Sequence, residues 1–294
     1  MDHVVQSARL PNGVRLPYVE RGPASGTPLI MLHGFTDSWR SFEGVLERLP
    51  TWIRAIALTL RGHADADAPD TGYHPADFAD DLRRFMDVLG IRQSVIAGHS
   101  FGSSIAQRFA IDHPKRTTAL ILMGSYTTLT DCREVREMWE TSVSGMADPV
   151  DPALARAFQE STLARAIAPA FLEMAIGDSL KVPARVWQAV MREGMIDTDF
   201  SDDLRLIEAP TLILWGERDS FMSKEKQLAL LALIAKARLL VHEEAGHALH
   251  WEDPARTVSD IASFIAATMA VGTRIAPRRP VARRSRSKPA EPAD

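Results

Sequence analysis

The sequence predicts an α/β protein in which a mostly parallel sheet is covered on both faces by helices and interrupted once by a helical insertion. Three observations predict it. Short apolar runs recur with helical stretches between them: Leu29 to Leu32, Ile53 to Leu60, Ser94 to Ala97, Thr118 to Met123, Thr211 to Trp215 and Leu239 to His242. Strands alternating with helices imply parallel pairing buried on both sides. Between Gly124 and Pro210 that rhythm stops and amphipathic stretches replace it. Finally, 294 residues with 46% hydrophobic content suffice for one main core carrying an insertion.

Taken in order, the chain opens as a hairpin. Val5 to Leu10 and Val14 to Glu20 flank Pro11-Asn12-Gly13, and Asn-Gly supplies the positive φ angles of a tight turn. The stripe Phe78, Leu82, Phe85, Met86 and Leu89, with Pro75 near its start and Gly90 past its end, reads as a sheet-covering helix. Val135-Met138-Trp139, Leu154-Phe158 and Val186-Trp187-Val190-Met191 mark the inserted helices. We therefore expect a core of residues 1–124 and 206–271 and a helical cap of residues 125–205. From Gly272 the composition turns to Pro, Arg, Ser and Ala, which predicts a disordered basic tail over 272–294. That tail has a net charge of +5, leaving −9 on the body out of −4 for the whole chain.

Neither this charge nor the ordinary 24% charged fraction gives an electrostatic reason to expect nucleic acid or an anionic membrane as partner. Cys132 is the only cysteine, so no intramolecular disulfide can form. The first residues lack the basic start and apolar run of a secretory signal, and no apolar stretch reaches the ~18 residues that span a bilayer. Cytoplasmic residence and a small-molecule substrate are the resulting expectations. Whether the protein is a monomer or a homodimer is not legible, because a dimer surface reads as another amphipathic helix.

The chemistry concentrates where Ser94-Val95-Ile96-Ala97 runs into Gly98-His99-Ser100-Phe101-Gly102 and then into a helix. A strand turning sharply into a helix crowds the positions two before and two after the serine, where only very small residues fit. The turn lifts the Ser100 hydroxyl clear of the sheet and aims a helix N-terminus at the reacting centre. A serine needs a base to take its proton, and the base needs an acid to hold its tautomer. Asp219 lies in the loop after Thr211 to Trp215, and His247 in the loop after Leu239 to His242, both at the strand ends where open α/β sheets carry their sites. Glu217 is the competing acid. His242, inside a strand, and His250, at a helix start, are the competing bases. A metal held by His242, His247 and His250 lacks supporting paired cysteines or an H-E-x-x-H pattern, so no metal is expected. The Phe101 amide is one expected donor to the oxyanion of a tetrahedral intermediate.

The order Ser100, Asp219, His247 resembles that of the α/β-hydrolase superfamily. So do Leu32-His33-Gly34-Phe35, Leu60-Arg61-Gly62-His63, Leu214-Trp215-Gly216-Glu217-Arg218-Asp219, and Gly246-His247 followed by Trp251-Glu252-Asp253-Pro254. The resemblance, to the serine-nucleophile branch of esterase and lactonase type, covers nearly the whole chain up to about Val271. It implies an eight-stranded sheet and makes the Phe35 amide the second oxyanion donor, with Gly34, Gly98, His99 and Gly102 as elbow and loop support. It further implies a two-step hydrolysis of a carboxylic ester or lactone by water, with no cofactor. Serine at the elbow argues against the superfamily's epoxide hydrolases and haloalkane dehalogenases, which use an Asp nucleophile. A C–C bond hydrolase, a perhydrolase and a hydrolase-like ligand receptor remain as alternatives. Relatives commonly carry Asp in place of Thr59 and Gly in place of Ala64, which puts the shape of that loop in question. Ser38 reads as a helix cap. Met138, Trp139, Phe158, Phe171, Met174, Trp187 and Met191 are candidates to line an apolar pocket, most of them expected to pack cap against core.

Overall fold

The computed structural model describes residues 3–275. Strands β1 (Val5–Arg9) and β2 (Arg15–Arg21) form the expected hairpin, turning on Gly13 at φ 89°. They are followed by β3 (Thr27–Leu32), the short helix α1 (Glu43–Leu46), β4 (Ile53–Leu58), α2 (Pro75–Val88), β5 (Ser94–His99), α3 (Phe101–Asp112) and β6 (Thr117–Met123). The insertion contributes α4 (Arg133–Met138), α5 (Pro152–Ser161), α6 (Pro169–Leu180) and α7 (Ala184–Ala189). The core then resumes with β7 (Thr211–Gly216), α8 (Lys224–Leu233), β8 (Ala237–His242), α9 (Leu249–Glu252) and α10 (Pro254–Ile275). The helix α10 runs past the expected boundary at 271, and the remainder of the basic tail lies outside the described residues.

The eight strands form one sheet in the order β1-β2-β4-β3-β5-β6-β7-β8. Only β1 with β2 and β2 with β4 pair antiparallel; every other pairing is parallel. The strand residues segregate by alternation, as the period of two requires. Ile30, Leu32, Ile96, Leu120 and Leu122 pack on one side with Phe78, Leu82 and Phe85 of α2 and Ile105 and Phe109 of α3. Leu29, Met31, Val95, Ala97, Ile121 and Met123 pack on the other with Val45 and Leu46 of α1 and Val258, Ile261 and Ile265 of α10. These apolar layers are what makes the near-continuous hydrophobic strands of the sequence readable as parallel.

The α2 helix begins with Pro75 after a His74 cap and is followed by Gly90 at φ 66°, matching the sequence signals for both ends. Between β6 and β7 no strand intervenes among the described residues; an isolated bridge between Thr128 and Asp199 closes the neck of the insertion. Val135, Val143, Val150, Val182 and Trp187 of the insertion join the same apolar cluster as α2 and α3. Among the described residues no helix is long and apolar enough to cross a membrane.

Candidate active site

The sheet order reverses at β3, which lies between β4 and β5, and a crevice opens at the carboxyl ends of the strands beside such a switch. Ser100 stands there. Its backbone lies at φ 51° and ψ −120°, a conformation that costs a side-chain-bearing residue about 1–3 kcal/mol and must be held by its surroundings. Two bonds hold it. The Ser100 amide donates to the Met123 carbonyl of β6 at 2.9 Å, and the Ser100 carbonyl accepts from the Ser103 hydroxyl at 2.6 Å.

The elbow glycines are where their spacing puts them for a steric reason. A Cβ on Gly98 would stand 2.2 Å from the Gly102 carbonyl oxygen, and one on Gly102 would stand 2.3 Å from that of Leu32 and 2.4 Å from that of His33. Backbone meets backbone at both positions, so no side chain can move aside. A Cβ on Gly34 would meet the His99 ring at 2.9 Å.

His247 is bound through Nδ1 to Asp219 Oδ2 at 2.8 Å, which leaves Nε2 as the ring's basic position. The other Asp219 oxygen accepts from the Phe221 and Met222 amides, each at 2.9 Å, and its carboxylate is fully buried. Glu217 is exposed. His242 pairs with Asp260 at 2.8 Å, and His250 contacts Ser41 at 3.0 Å. Of the candidates weighed from the sequence, Asp219 and His247 are the pair that meets.

His99 is buried between the rings of His247 and His250, at 4.9 and 4.4 Å. Burial, with His250 and His247 close by, holds its pKa well below the ordinary histidine value. It is therefore neutral, and its Nε2–H donates to the His247 carbonyl at 3.1 Å. Glu252, also buried, accepts from the Gly246 amide at 3.1 Å and from the Ala164 amide at 2.7 Å, so one carboxylate ties the His247 loop to the insertion. Among the described residues, neither the Phe35 nor the Phe101 amide is spent on another protein acceptor.

A cavity lined by residues of both the core and the insertion joins these groups. Ser100, His247, His99, Gly34 and Phe35 lie in its wall, with Met138, Phe158 and Met191 from the expected pocket set. The other expected residues are elsewhere. Trp187 is fully buried behind the wall, edge-on to Phe35 at 5.0 Å and to Phe158 at 5.7 Å. Trp139 lies under Arg192 at 5.7 Å, Phe171 packs on Trp251 at 5.4 Å, and Met174 lines a separate small crevice. Val135, Gln159, Thr162, Met195, Phe221, Met222 and Trp251 also lie in the wall, none of them among the expected pocket residues. Phe221 and Met222 carry a signal in hindsight, since the residues right after the acid must cap its carboxylate and so face the site.

The wall also holds Asp37, two residues beyond Phe35. Burial pushes its carboxyl up to about 7, reinforced by nearby Asp178 and opposed by hydrogen bonds from Gln159 and Ser41 and by His247. Ser38 caps the turn that follows, accepting from the Arg40 amide at 3.1 Å, and it also donates to Asp178 at 2.6 Å. In the loop that departs from the common pattern, Ala64 takes φ 42°, so the left-handed geometry persists without glycine. Thr59 accepts there from the Trp39 amide at 3.2 Å. Among the described residues no group of three His, Cys, Asp or Glu side chains is placed to hold a metal ion.

The family model for the alpha/beta hydrolase fold matches residues 27–254. The 2-hydroxymuconate semialdehyde hydrolase of Pseudomonas sp. is 28% identical over 86% of this chain and 91% of its own length. Epoxide hydrolase 2 of Caenorhabditis elegans is 32% identical over 37% of this chain, a match that spans only 31% of that protein. Among solved structures, an esterase from Exiguobacterium antarcticum superposes with a TM-score of 0.80 at 24% identity, covering 90% of this chain and all of that one. At that identity the last likeness speaks for the fold alone.

Proposed function

This chain belongs to the α/β-hydrolase family, and from that premise we propose that it is a serine hydrolase that cleaves a carboxylic ester or lactone of a small, mostly apolar substrate. The observation that carries the reading is one arrangement. A serine on a strained elbow shares a mostly apolar cavity with a histidine whose Nδ1 is bound to a buried carboxylate at 2.8 Å.

In this mechanism His247 Nε2 takes the Ser100 proton as Oγ adds to the carbonyl carbon. The carbonyl oxygen becomes negative against the Phe35 and Phe101 amides, each such donor being worth roughly 3 kcal/mol in the transition state. The C–O bond to the alcohol then breaks, and the alcohol leaves with the proton from His247. Water gives its proton to His247, adds to the acyl-enzyme, and the acid departs as Ser100 recovers its proton. Asp219 keeps the proton on Nδ1 throughout and steadies the imidazolium. The helical insertion acts as a cap, since Met138, Phe158, Met191 and Met195 close the cavity from its side.

Hydrolysis of p-nitrophenyl acetate or butyrate tests the reading, and Ser100→Ala should reduce it by several orders of magnitude. Retained activity in that variant would sink the assignment. The likeness to a semialdehyde hydrolase over most of both chains favours a second reading, cleavage of a C–C bond by the same triad. A dienone included in the same assay distinguishes the two. Serine in place of an aspartate nucleophile argues against epoxide opening.

A further inference from the structure

Ser100, His247 and the histidine that supports it, His99, leave Asp37, Gln159 and Thr162 among the polar side chains of the cavity wall. Thr162 spends its hydroxyl on the Gln159 carbonyl at 2.7 Å. Asp37 and Gln159 remain, both in the wall, both almost fully buried, and neither used by the proposed chemistry.

Asp37 is poorly served by the protein. Its Oδ1 accepts from Gln159 Nε2 at 3.0 Å, while Oδ2 has only the Ser41 hydroxyl, at a long 3.4 Å. Ser41 has one proton to give, and His250 Nε2 lies nearer to it, at 3.0 Å. The Trp251 indole N–H already fills one of the Ser41 acceptor positions at 2.9 Å. A carboxylate offers about four acceptor positions, and leaving one under-satisfied in an apolar cavity costs on the order of 1–3 kcal/mol or more.

Joining the insertion to the core does not explain Asp37 either. That junction is already made by Thr36 with Ser179 at 2.9 Å, Gln159 with Ser179 at 2.8 Å, and Ser38 with Asp178 at 2.6 Å. None of these bonds passes through Asp37. A buried carboxyl that is not the sole tie across that junction, and that faces the reacting cavity with an under-satisfied oxygen, is explained by a ligand that brings it a donor.

We propose that Asp37 is a specificity residue, the acceptor of a polar subsite with Gln159 that binds a hydroxyl group close to the scissile carbonyl of the substrate. The inference rests on the ester-hydrolase reading of Ser100 and adds a hydroxylated ester as the substrate class. A hydroxyl fits either protonation state, since it donates to a carboxylate and accepts from a neutral acid. An alkyl group at the same place would leave Asp37 short of a partner.

The test compares methyl butyrate with methyl 2-hydroxybutyrate, methyl 3-hydroxybutyrate and 2-hydroxyethyl butyrate, followed by acid release at constant pH and normalised to active sites titrated by a phosphonate. At least one hydroxylated ester should exceed methyl butyrate in kcat/KM by ~10-fold or more, mainly through KM. In Asp37→Leu the advantage should fall to about one, and Asp37→Asn, which keeps a hydrogen-bonding side chain, should restore part of it. A purely structural Asp37 would lower all four esters together and leave their ratios alone. If Asp37→Leu does not fold, Gln159→Leu reads the same wall from the insertion, and the same collapse of the ratio is expected. The proposal is overturned if wild type hydrolyses methyl butyrate with no preference for any hydroxylated ester, or if the preference survives the leucine variants. In either of those cases the ester-hydrolase reading stands; only the absence of turnover on all four esters would count against that reading instead.

Discussion

Asp37 couples the site to the stability of the fold through its proton. An aspartate in the unfolded chain ionises near 3.8, whereas burial beside Asp178, against the opposing effects of His247, Gln159 and Ser41, brings Asp37 to about 7 in the folded protein. Below pH ~4 both states are protonated and the group contributes its full stabilising share. Between roughly 4 and 7 the unfolded chain ionises while the folded one does not, so that share is lost as pH rises, by about 1.4 kcal/mol per pH unit at most. Above 7 the loss is complete and levels off. Asp37→Asn has no such proton to lose, so its stability relative to wild type should improve by up to a few kcal/mol between pH 4.5 and pH 8. Urea unfolding of both proteins across that range measures it. A difference that stays constant with pH would show that Asp37 ionises in the fold as it does in the unfolded chain.

Where β5 enters α3, the fold and the chemistry impose the same requirement. Gly102→Ala drives a Cβ to 2.3 Å from the Leu32 carbonyl, on a central strand that cannot retreat. Destabilisation of ~3 kcal/mol or more is expected, with the proposed hydrolysis of p-nitrophenyl butyrate falling further as Ser100 shifts. Gly177→Ala provides the contrast. It lies inside α6 with nothing within 4 Å of the added methyl, so it should stabilise by about 0.5–1 kcal/mol. Thermal melting of the two variants separates a glycine required by close approach from one that is not. The same distinction explains what could be read from the sequence. The strands were legible because alternate residues face two apolar layers, and the elbow because its glycines answer a local clash. The inward face of the insertion was not. Trp139–Val143 and Val190–Ile196 are wound as π-helix, which turns the helical face away from a 3.6 period. Met138, at the end of α4, reaches the cavity while Trp139, where the π winding starts, does not, and Trp187 packs behind a wall that Met191, one turn on, helps to form. Asp37 escaped notice for a different reason. Its environment is assembled by Gln159 and Asp178, more than a hundred positions away, and no local pattern announces that.

At the scale of the molecule, the cavity has two authors. Phe35, Phe221, Met222 and Trp251 come from loops of the core, while Val135, Met138, Phe158, Met191 and Met195 come from the insertion. A substrate is enclosed only where the two meet, so the distance between them sets how much acyl chain can be buried. Each methylene removed from water contributes about 0.8 kcal/mol, roughly fourfold in affinity, until the chain outgrows the space between the two walls. Four methionines in the wall adapt their shape and should broaden the optimum rather than sharpen it. Across p-nitrophenyl esters from acetate to palmitate, kcat/KM should therefore rise over the short chains, pass through a broad maximum at short to medium length, and fall for the longest. Met138→Trp fills the insertion side of the cavity and should move the maximum toward acetate, with longer esters losing most through KM. A maximum at palmitate in wild type would mean that the two walls part to admit a long chain, and the enclosed cavity would then describe only one of the states in which the enzyme works.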